Sequence, residues 1–298
     1  MAQNPLVTLI CICYNHEPFV LESLDSVISQ SYKNIQIIIV DDASTDNSVK
    51  EIEKWLVNKS NITFIKNKIN VGNTISFNKA LKLVEGDFII DLATDDVLLH
   101  NTIATQIDAF KTNEQKALVF GNAELINEQG NFLSYYFDVD TQKCVKDKSL
   151  HTINYIHILK GGNCMCSVSA MIRTTILKEL GGFDENLFYE DLDVWLRITR
   201  KYPIHFIDTP LIKKRLVSQS QSSFFYQKNA YSKKINTSTF IVLEKAFKMN
   251  LNKQENKALL KRIHHEIVHN FELKNYNLLM KNLILKLKVH LKNLFYFI

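Results

Sequence analysis

The sequence GDFIIDLATDDVLL, residues 86–99, decides the fold of this chain. Its apolar run from Phe88 to Leu92 predicts a buried strand. Two adjacent carboxylates, Asp95 and Asp96, follow where that strand should end. Carboxylate oxygens, completed by water and phosphate oxygens, are ligands that Mg²⁺ and Mn²⁺ prefer. The stretch therefore predicts either a cation site or a capped turn, because Asp also favours turns and helix N-termini.

A second acidic turn lies upstream. The apolar run Ile35–Val40 predicts another buried strand, and it leads directly into Asp41 and Asp42. Predicted strands and helices alternate along this part of the chain, which indicates right-handed βαβ units and a mainly parallel sheet. The carboxyl ends of parallel strands share one edge of the sheet, where ligands bind. Both acidic turns are therefore expected at the same edge.

A third acidic group stands at the start of a predicted helix. Glu190, Asp191 and Asp193 precede or open an amphipathic segment that contains Trp195 and Ile198. Acidic residues stabilise a helix N-terminus through the helix dipole, which is the structural alternative to a functional role.

The glycine pattern excludes two kinds of phosphate site. No GxGxxG follows the first strand, and no GxxxxGK[ST] occurs in a sequence that has only 8 Gly. A dinucleotide fold and a P-loop therefore lack their key residues. A divalent cation on Asp95 and Asp96 would hold phosphates instead.

Composition indicates a soluble globular protein with reduced thiols. The chain has 298 residues, of which 46% are hydrophobic and 22% charged, and its 5 Cys form no CxxC pair. This pattern is typical of a cytosolic protein. The N-terminus lacks the basic segment of a signal peptide, and no apolar run is long enough to span a membrane.

Five spaced motifs resemble the inverting family 2 glycosyltransferases of GT-A fold, over roughly residues 5–215. The motifs are VTLICICYN with HEPFVLESLDSVISQSY, IIIVDDASTD, NVGNTISFNKAL, EGDFIIDLATDD and GGFDENLFYEDLDVWLRI. The resemblance implies an α/β fold in which a Rossmann-like, mainly parallel sheet is flanked by helices. It implies a catalytic domain over 1–230, with a nucleotide-sugar half (about 1–122) and an acceptor half (about 123–230), followed by a basic, helical, amphipathic extension over 231–298.

The resemblance also implies roles for individual residues. Asp42 would accept a hydrogen bond from the base of the nucleotide, Asp95 would contact the ribose or the cation, and Asp96 would ligate the cation, Mn²⁺ or Mg²⁺. The nucleotide-sugar site would further include Asp41, Asn15 and Asn78. Asp191 would be the general base, with Glu190 beside it.

The implied chemistry suits these residue types. A Lewis acid stabilises the charge on a departing diphosphate, while one carboxylate on the opposite face takes the proton of the acceptor hydroxyl and the anomeric centre inverts. One position departs from the family pattern. Many relatives carry Asp two residues before Asp95, where this chain has Ala93, so the division of cation binding between Asp95 and Asp96 stays open.

Other signals have competing interpretations. The sequence HEIVH, residues 265–269, matches the HExxH zinc motif, but it lacks a separate downstream ligand and a solvated helix face is favoured. Cys164 and Cys166 are interpreted as small strand residues. The aromatic segment SSFFYQKNAY near 224–231 is interpreted either as lining an acceptor groove or as ordinary packing.

The C-terminal segment 273–298 predicts a basic amphipathic helix. It contains no acidic residue, and its apolar positions recur at helical spacing at Met280, Leu283, Leu287, Leu291 and Leu294. Such a helix suits an anionic membrane surface. The alternative is that its apolar stripe packs on the catalytic domain or on a second copy of the chain.

These observations predict a cytoplasmic transferase, peripheral on the inner face of the cell membrane. It would move a hexosyl or N-acetylhexosaminyl group from a nucleotide-diphosphate donor, with UDP the commonest nucleotide in the family, to a surface glycan or lipid-linked saccharide. No nucleic-acid partner is expected. Two rival hypotheses are a metal-dependent nucleotidyltransferase, which needs no base at Asp191, and a non-catalytic relative that only binds sugar-nucleotides or glycans.

Overall fold

The computed structural model describes residues 4–217 and 227–294. The chain forms two compact units. The sheet unit comprises residues 1–152, 165–183 and 202–217, and the helical unit comprises residues 153–164, 184–201 and 218–298. The sequence-based division of the chain at residue 230 remains a prediction.

All strands of the described residues belong to one sheet in the sheet unit. They are β1 (Val7–Cys13), β2 (Ile35–Asp41), β3 (Ile62–Lys66), β4 (Phe88–Ala93), β5 (Val97–Leu98), β6 (Leu118–Ile126), β7 (Phe132–Tyr135), β8 (Met171–Arg173) and β9 (Ile204–Arg215). Their spatial order is β3-β2-β1-β4-β8-β6-β9-β5, with β7 paired to β6. The α/β fold predicted from the sequence is confirmed.

The helices of the two units account for most of the remaining chain. In chain order they are α1 (Val20–Ile28), α2 (Ser48–Leu56), α3 (Asn73–Leu81), α4 (Thr102–Lys111), α5 (Tyr155–Lys160), α6 (Thr174–Glu179), α7 (Asp191–Lys201), α8 (Ala230–Met249), α9 (Lys253–Glu272) and α10 (Tyr276–Leu294). Short 3-10 helices cover Lys148–Thr152 and Ser167–Ser169. The strand–helix alternation from β1 to β4 is the one that the apolar pattern predicts.

The first half of the sheet is parallel and the second half is mixed. Strands β3, β2, β1 and β4 run parallel. Every residue of β1 is buried, and a strand buried on both faces is expected to be a continuous apolar run. Beyond β4 the direction changes, because β8 lies antiparallel between β4 and β6.

Strand β9 is not evident from the sequence pattern. It is parallel to β6, but its register shifts where Pro210 faces Asn122. Proline cannot donate to a sheet, so it interrupts the regular pairing and the period-two pattern. At its far end β9 pairs antiparallel with β5, placing Lys213 opposite Val97.

The helical unit is held together by apolar faces and by a chain of buried amides. The Tyr155 hydroxyl donates to Asn250, Asn250 donates to Asn256, and Asn256 donates to Asn293. These bonds link α5, the end of α8, α9 and α10. Because the buried amides of Asn250 and Asn256 both have partners in this network, it fixes the positions of the helices rather than weakening them. No helix in the described ranges is long and apolar enough to cross a membrane.

Candidate active site

Three adjacent parallel strands end at the same edge of the sheet, and each is followed by polar residues. The register pairs Cys13 at the end of β1 with Asp41 of β2, and Ile12 of β1 with Ala93 of β4. The loops that follow therefore bring together Asn15, Asp41, Asp42, Asp95 and Asp96. Sequence reasoning placed the four acids at one edge, and the structure does the same.

The loop after β1 is bonded to the loop after β2. The Asn15 N–H donates to Ser44 Oγ at 2.9 Å, and Ser44 Oγ donates to the Asp41 carboxylate at 2.5 Å. The Thr45 N–H donates to the Asn15 side chain at 2.7 Å. Asn15 adopts a positive φ of 57°, a conformation that Asn tolerates better than most residues. Asp41 and Asn15 therefore shape this wall of the site.

Asp42 organises a third loop. Its buried carboxylate accepts hydrogen bonds from the Asn67 amide at 2.8 Å, the Val71 N–H at 3.0 Å and the Gly72 N–H at 2.7 Å. Gly72 has a φ of 90°, which favours glycine, and it directly precedes α3. These contacts give Asp42 a structural role in fixing residues 67–72, and its role toward a nucleotide base remains a prediction.

His16 joins the two acidic turns, and the sequence interpretation did not assign it to the site. Its main-chain N–H donates to Ser48 Oγ at 3.0 Å, and its ring Nδ1 lies 2.9 Å from Thr94 Oγ1. Its Nε2 lies 3.9 Å from the Asp95 carboxylate. The signal that could have identified His16 is its place directly after Asn15 at the end of the first strand.

Arg215 is a second residue that sequence reasoning missed. Its main-chain N–H donates to the Asp96 carboxylate at 2.8 Å, and its side-chain Nε donates to the main-chain carbonyl of Asp95 at 2.9 Å. Its guanidinium pairs with Glu22 at 2.5 Å and lies 4.7 Å from the centre of the Phe19 ring. The pairing of β9 with β5 brings Arg215 to this position.

The Asp95/Asp96 pair fits a bound cation. Burial raises the pKa of Asp96 well above its usual value, and the neighbouring Asp95 charge raises it further. A buried carboxylate beside another carboxylate gains from a positive charge in contact with it. No cluster of three or more His, Cys, Asp or Glu able to hold a metal exists in residues 4–217 and 227–294. Water and substrate phosphates would therefore supply further ligands, as is common for Mg²⁺.

We expect Arg215→Lys to weaken the site although the charge is kept. Lysine cannot reproduce the planar set of bonds to the carbonyls of Asp95, Asn127 and Glu128. Losing bonds to these acceptors should lower the free energy of unfolding by about 2–3 kcal/mol and raise the KM for a substrate bound beside Asp95 and Asp96 about tenfold. Thermal unfolding and initial-rate kinetics measure the two effects.

The matched control for this variant is Arg173→Lys. Arg173 also donates to two main-chain carbonyls, those of Lys116 and Glu114, and its guanidinium lies over Phe88 and Phe110. The control should lose stability without a change in KM. An equal change in KM for both variants would contradict a specific role for Arg215.

The third acidic group lies in the helical unit at the start of α7. Asp191 is the first residue of α7. Glu190 is buried, and its main-chain carbonyl accepts hydrogen bonds from the main-chain N–H groups of Asp193 and Val194. Asp193 is buried and accepts from Arg197 at 2.7 Å and from Lys245 at 2.8 Å. Asp193 is therefore a structural residue, whereas the catalytic roles of Asp191 and Glu190 remain predictions.

Asn78 occupies a structural position in the sheet unit. Its amide donates to the Phe183 carbonyl at 2.8 Å, and its carbonyl oxygen accepts from the Phe183 N–H at 3.0 Å. This reciprocal pair fastens α3 to the segment after α6. The predicted contact of Asn78 with a nucleotide receives no support from these bonds.

Two further sequence interpretations are corrected by the structure. Cys164 and Cys166 lie in the loop before the 3-10 helix Ser167–Ser169 and not in a strand. The HEIVH sequence is not a fully solvated helix face, because Glu266 and His269 are buried.

Glu266 of the HEIVH sequence is buried and accepts from Arg262 at 2.8 Å, and the rings of His265 and His269 stack with centroids 6.2 Å apart. Within the aromatic segment near 224–231, residues 224–226 lie outside the described residues. The Tyr231 ring lies 5.9 Å from that of Phe188 in the helical unit.

A comparison with protein families identifies the chain. The family described as Glycosyl transferase family 2 matches residues 8–181, which is more than half of the sequence. The chain belongs to glycosyltransferase family 2. The matched segment of this family 2 protein contains the loops after β1, β2 and β4. Glu190, Asp191 and Arg215 lie beyond it.

Relatives of this glycosyltransferase include both named and uncharacterised proteins. An uncharacterised glycosyltransferase of Rickettsia felis is 32% identical over 73% of this chain, but the chain spans only 35% of that protein's length. The Escherichia coli protein WfaP, a UDP-Glc:alpha-D-GlcNAc-diphosphoundecaprenol beta-1,3-glucosyltransferase, is 32% identical over 66% of this chain and 71% of its own length.

Solved structures confirm the GT-A fold. Staphylococcus aureus TarS 1-349 in complex with UDP-GlcNAc has a TM-score of 0.68 and 18% identity, over 89% of this chain and 72% of TarS. The mannosyltransferase PcManGT of Pyrobaculum calidifontis, in complex with GDP-Man and Mn2+, has a TM-score of 0.57 and 14% identity, over 96% of this chain and 88% of PcManGT. At these identities the likeness establishes the fold alone.

Proposed function

We propose that this family 2 glycosyltransferase moves a sugar from a nucleotide-diphosphate donor to an acceptor hydroxyl with inversion at the anomeric carbon. The observation that carries the proposal is the sheet edge, where the partly exposed Asp95 and the buried Asp96 follow β4, the neighbour of the strand β1 that leads to Asn15. A nucleotide-sugar site needs rigid loops for the nucleotide and compensation for the diphosphate charge. The bonded loops lie at this edge, and a cation held by its carboxylates would compensate the charge.

Asp95 and Asp96 would hold a divalent cation, Mn²⁺ or Mg²⁺, at this edge. When bound, the cation supplies stabilisation of the negative charge on the diphosphate leaving group. The contribution of Arg215 is to hold the Asp96 carboxylate through its main-chain N–H and the Asp95 main-chain carbonyl through its Nε. The Mn2+-bound mannosyltransferase neighbour supports this assignment.

Asp191 would act as the general base, with Glu190 beside it. A carboxylate that takes the proton of the acceptor hydroxyl as it attacks opposite the leaving group suffices for an inverting transfer. Asp193 does not compete for this role, because Arg197 and Lys245 already neutralise it.

The acceptor that we propose is a hydroxyl of a surface glycan or lipid-linked saccharide, at the inner face of the cell membrane. The name of WfaP, which includes a diphosphoundecaprenol-linked acceptor and a UDP-Glc donor, supports this class. A UDP-hexose or UDP-N-acetylhexosamine is the donor class with most support, since TarS binds UDP-GlcNAc.

Thermal unfolding with nucleoside diphosphates tests the donor site. We expect UDP with Mn²⁺ to stabilise the protein by about 2.7 kcal/mol at a concentration of about 100 Kd, because a ligand that binds only the native state stabilises it by mass action. GDP, CDP and ADP are matched controls for the base, and UDP without Mn²⁺ is the control for the cation. Absence of any nucleotide-dependent shift would contradict the proposed donor site.

A labelling experiment then separates the reaction classes. Donors labelled in the sugar or in the nucleotide are incubated with saccharide acceptors, and the label in the product is followed. Sugar label in the product supports the transferase, and its anomeric configuration tests inversion. Nucleotide label in the product would instead identify a nucleotidyltransferase, and binding without turnover of any donor would favour a non-catalytic relative.

A further inference from the structure

Helix α10 has two apolar faces, and only one of them is packed. Leu278, Leu285 and Val289 are buried in the helical unit. The opposite side forms an exposed stripe, in which each side chain is between 48% and 62% exposed: Met280, Ile284, Leu287, Leu291 and Leu294. At 100° per residue the two sets lie about half a turn apart.

The sequence left open whether the apolar stripe of α10 packs on its own chain. Packing of α10 on its own chain uses the other face of the helix. An apolar surface of this length on a soluble protein indicates an interaction site.

The charges that flank the stripe are all positive. Lys281 and Lys288 lie on one side of it, and Lys286 lies on the other side. The sequence contains no Asp or Glu after Glu272. Lys292 is not part of this surface, because its amine donates to the carbonyls of Phe247 and Asn250. The exposed stripe is therefore bordered by cations with no anion on the same helix.

This charge pattern favours a lipid surface over a second copy of the chain. The stripe residues recur at alternating intervals of four and three, as in a coiled-coil seam. Coiled-coil partners are stabilised when opposite charges flank the seam. Two copies of α10 would bring only lysine charges to those flanks, which opposes pairing. An anionic surface is complementary to the same residues.

We propose that α10 docks in the plane of an anionic phospholipid surface. The stripe would enter the boundary between headgroups and acyl chains, and the flanking lysines would contact lipid phosphates. The helix has 19 residues and therefore offers a contact about 28 Å long. Leu278, Leu285 and Val289 would keep it attached to the helical unit at the same time. This docking does not depend on which donor the protein uses.

Co-sedimentation of the full chain with vesicles tests the proposal. We expect binding to phosphatidylcholine vesicles that contain phosphatidylglycerol, little binding to phosphatidylcholine alone, and a loss of binding as salt is raised. The stripe variant Ile284→Gln/Leu287→Gln/Leu291→Gln should reduce the partition coefficient at least about tenfold. Its matched control, Val57→Gln/Leu83→Gln/Leu133→Gln, alters three exposed apolar residues of the sheet unit and should bind like wild type.

A second pair of variants tests the charges. Lys286→Gln/Lys288→Gln should weaken binding about fivefold for each lysine removed. Lys82→Gln/Lys257→Gln, which removes two exposed lysines outside α10, should have little effect. Thermal unfolding of every variant verifies that the fold is kept.

Three outcomes would overturn the proposal. Failure of wild type to bind anionic vesicles is the first, and equal binding by the stripe variant is the second. The third is a concentration-dependent dimer of the wild type, seen by sedimentation velocity and abolished in the stripe variant, together with no vesicle binding. That result would assign the stripe to a second copy of the chain. None of these results depends on glycosyl transfer, so the proposed function is tested separately.

Discussion

Replacing Asp191 with Asn should lower kcat by about 10²- to 10⁴-fold, the range expected when a general base is removed. The affinity for the donor should remain within about twofold of wild type, because an uncharged amide of the same shape leaves the start of α7 intact. The acidic limb of the pH–rate profile should also disappear, since that limb reports protonation of the base. Initial rates across pH with a saturating donor, and titration of UDP binding, measure these quantities.

The control for this variant is Glu185→Gln. Glu185 is an exposed carboxylate a few residues before α7, so its replacement changes the local charge by the same amount. Activity near the wild-type level is expected for the control. If Asp191→Asn retained wild-type turnover with an accepted donor, Asp191 would not be the base, and Glu190 would be the next residue to replace.

Replacing Asp96 with Asn should lower activity and raise stability. In the proposed reaction several kcal/mol of leaving-group stabilisation would depend on the cation, so kcat/KM should fall about a thousandfold and the dependence on Mn²⁺ should weaken. The side-chain oxygen of asparagine can still accept the hydrogen bond that the main-chain N–H of Arg215 donates to Asp96. Initial rates measured over a Mn²⁺ titration give the loss of activity. Unchanged Mn²⁺ dependence would remove Asp96 from the cation site.

The stability effect has a defined sign. Because burial and Asp95 raise the pKa of Asp96, the folded protein holds this proton more tightly than the unfolded chain does. Ionised Asp96 therefore costs stability, and that cost grows as pH rises from the ordinary carboxyl pKa of about 3.9 to the raised value. Without cation, Asp96→Asn should unfold at a higher temperature than wild type at neutral pH, and the difference should shrink as pH falls.

The control for the stability effect is Asp108→Asn on α4. Asp108 is well exposed and pairs with Lys111 in the same helix. Such a surface pair contributes little, so the melting temperature of this control should stay close to that of wild type. A wild-type protein that is more stable than Asp96→Asn at neutral pH without cation would contradict the argument from burial.

The sequence by itself determined the parallel half of the sheet and the edge that carries the acids. Strands β1, β2 and β4 have six or seven residues and are mostly apolar, and this pattern is a local property that the sequence contains. Asp41 is the last residue of β2, and Asp95 lies two residues after β4. Once the strands are parallel, these acids must lie at one edge.

Local sequence did not distinguish among the acids of the third group. Glu190, Asp191 and Asp193 look equivalent at a helix start, since the helix dipole favours each of them. The structure separates them, because Lys245, 52 residues away in the chain, pairs with Asp193. The identity of that partner depends on the packing of α8 against α7.

Only the tertiary structure decided the position of Arg215 and the role of the two faces of α10. Arg215 reaches Asp96 across 119 residues of chain because β9 pairs with β5, and no local pattern encodes that pairing. For α10, the sequence shows that Leu285 and Leu287 are both apolar, but not which of them is covered. Period and composition are set by neighbouring residues, whereas burial and charge pairing depend on segments that meet only after the chain has folded.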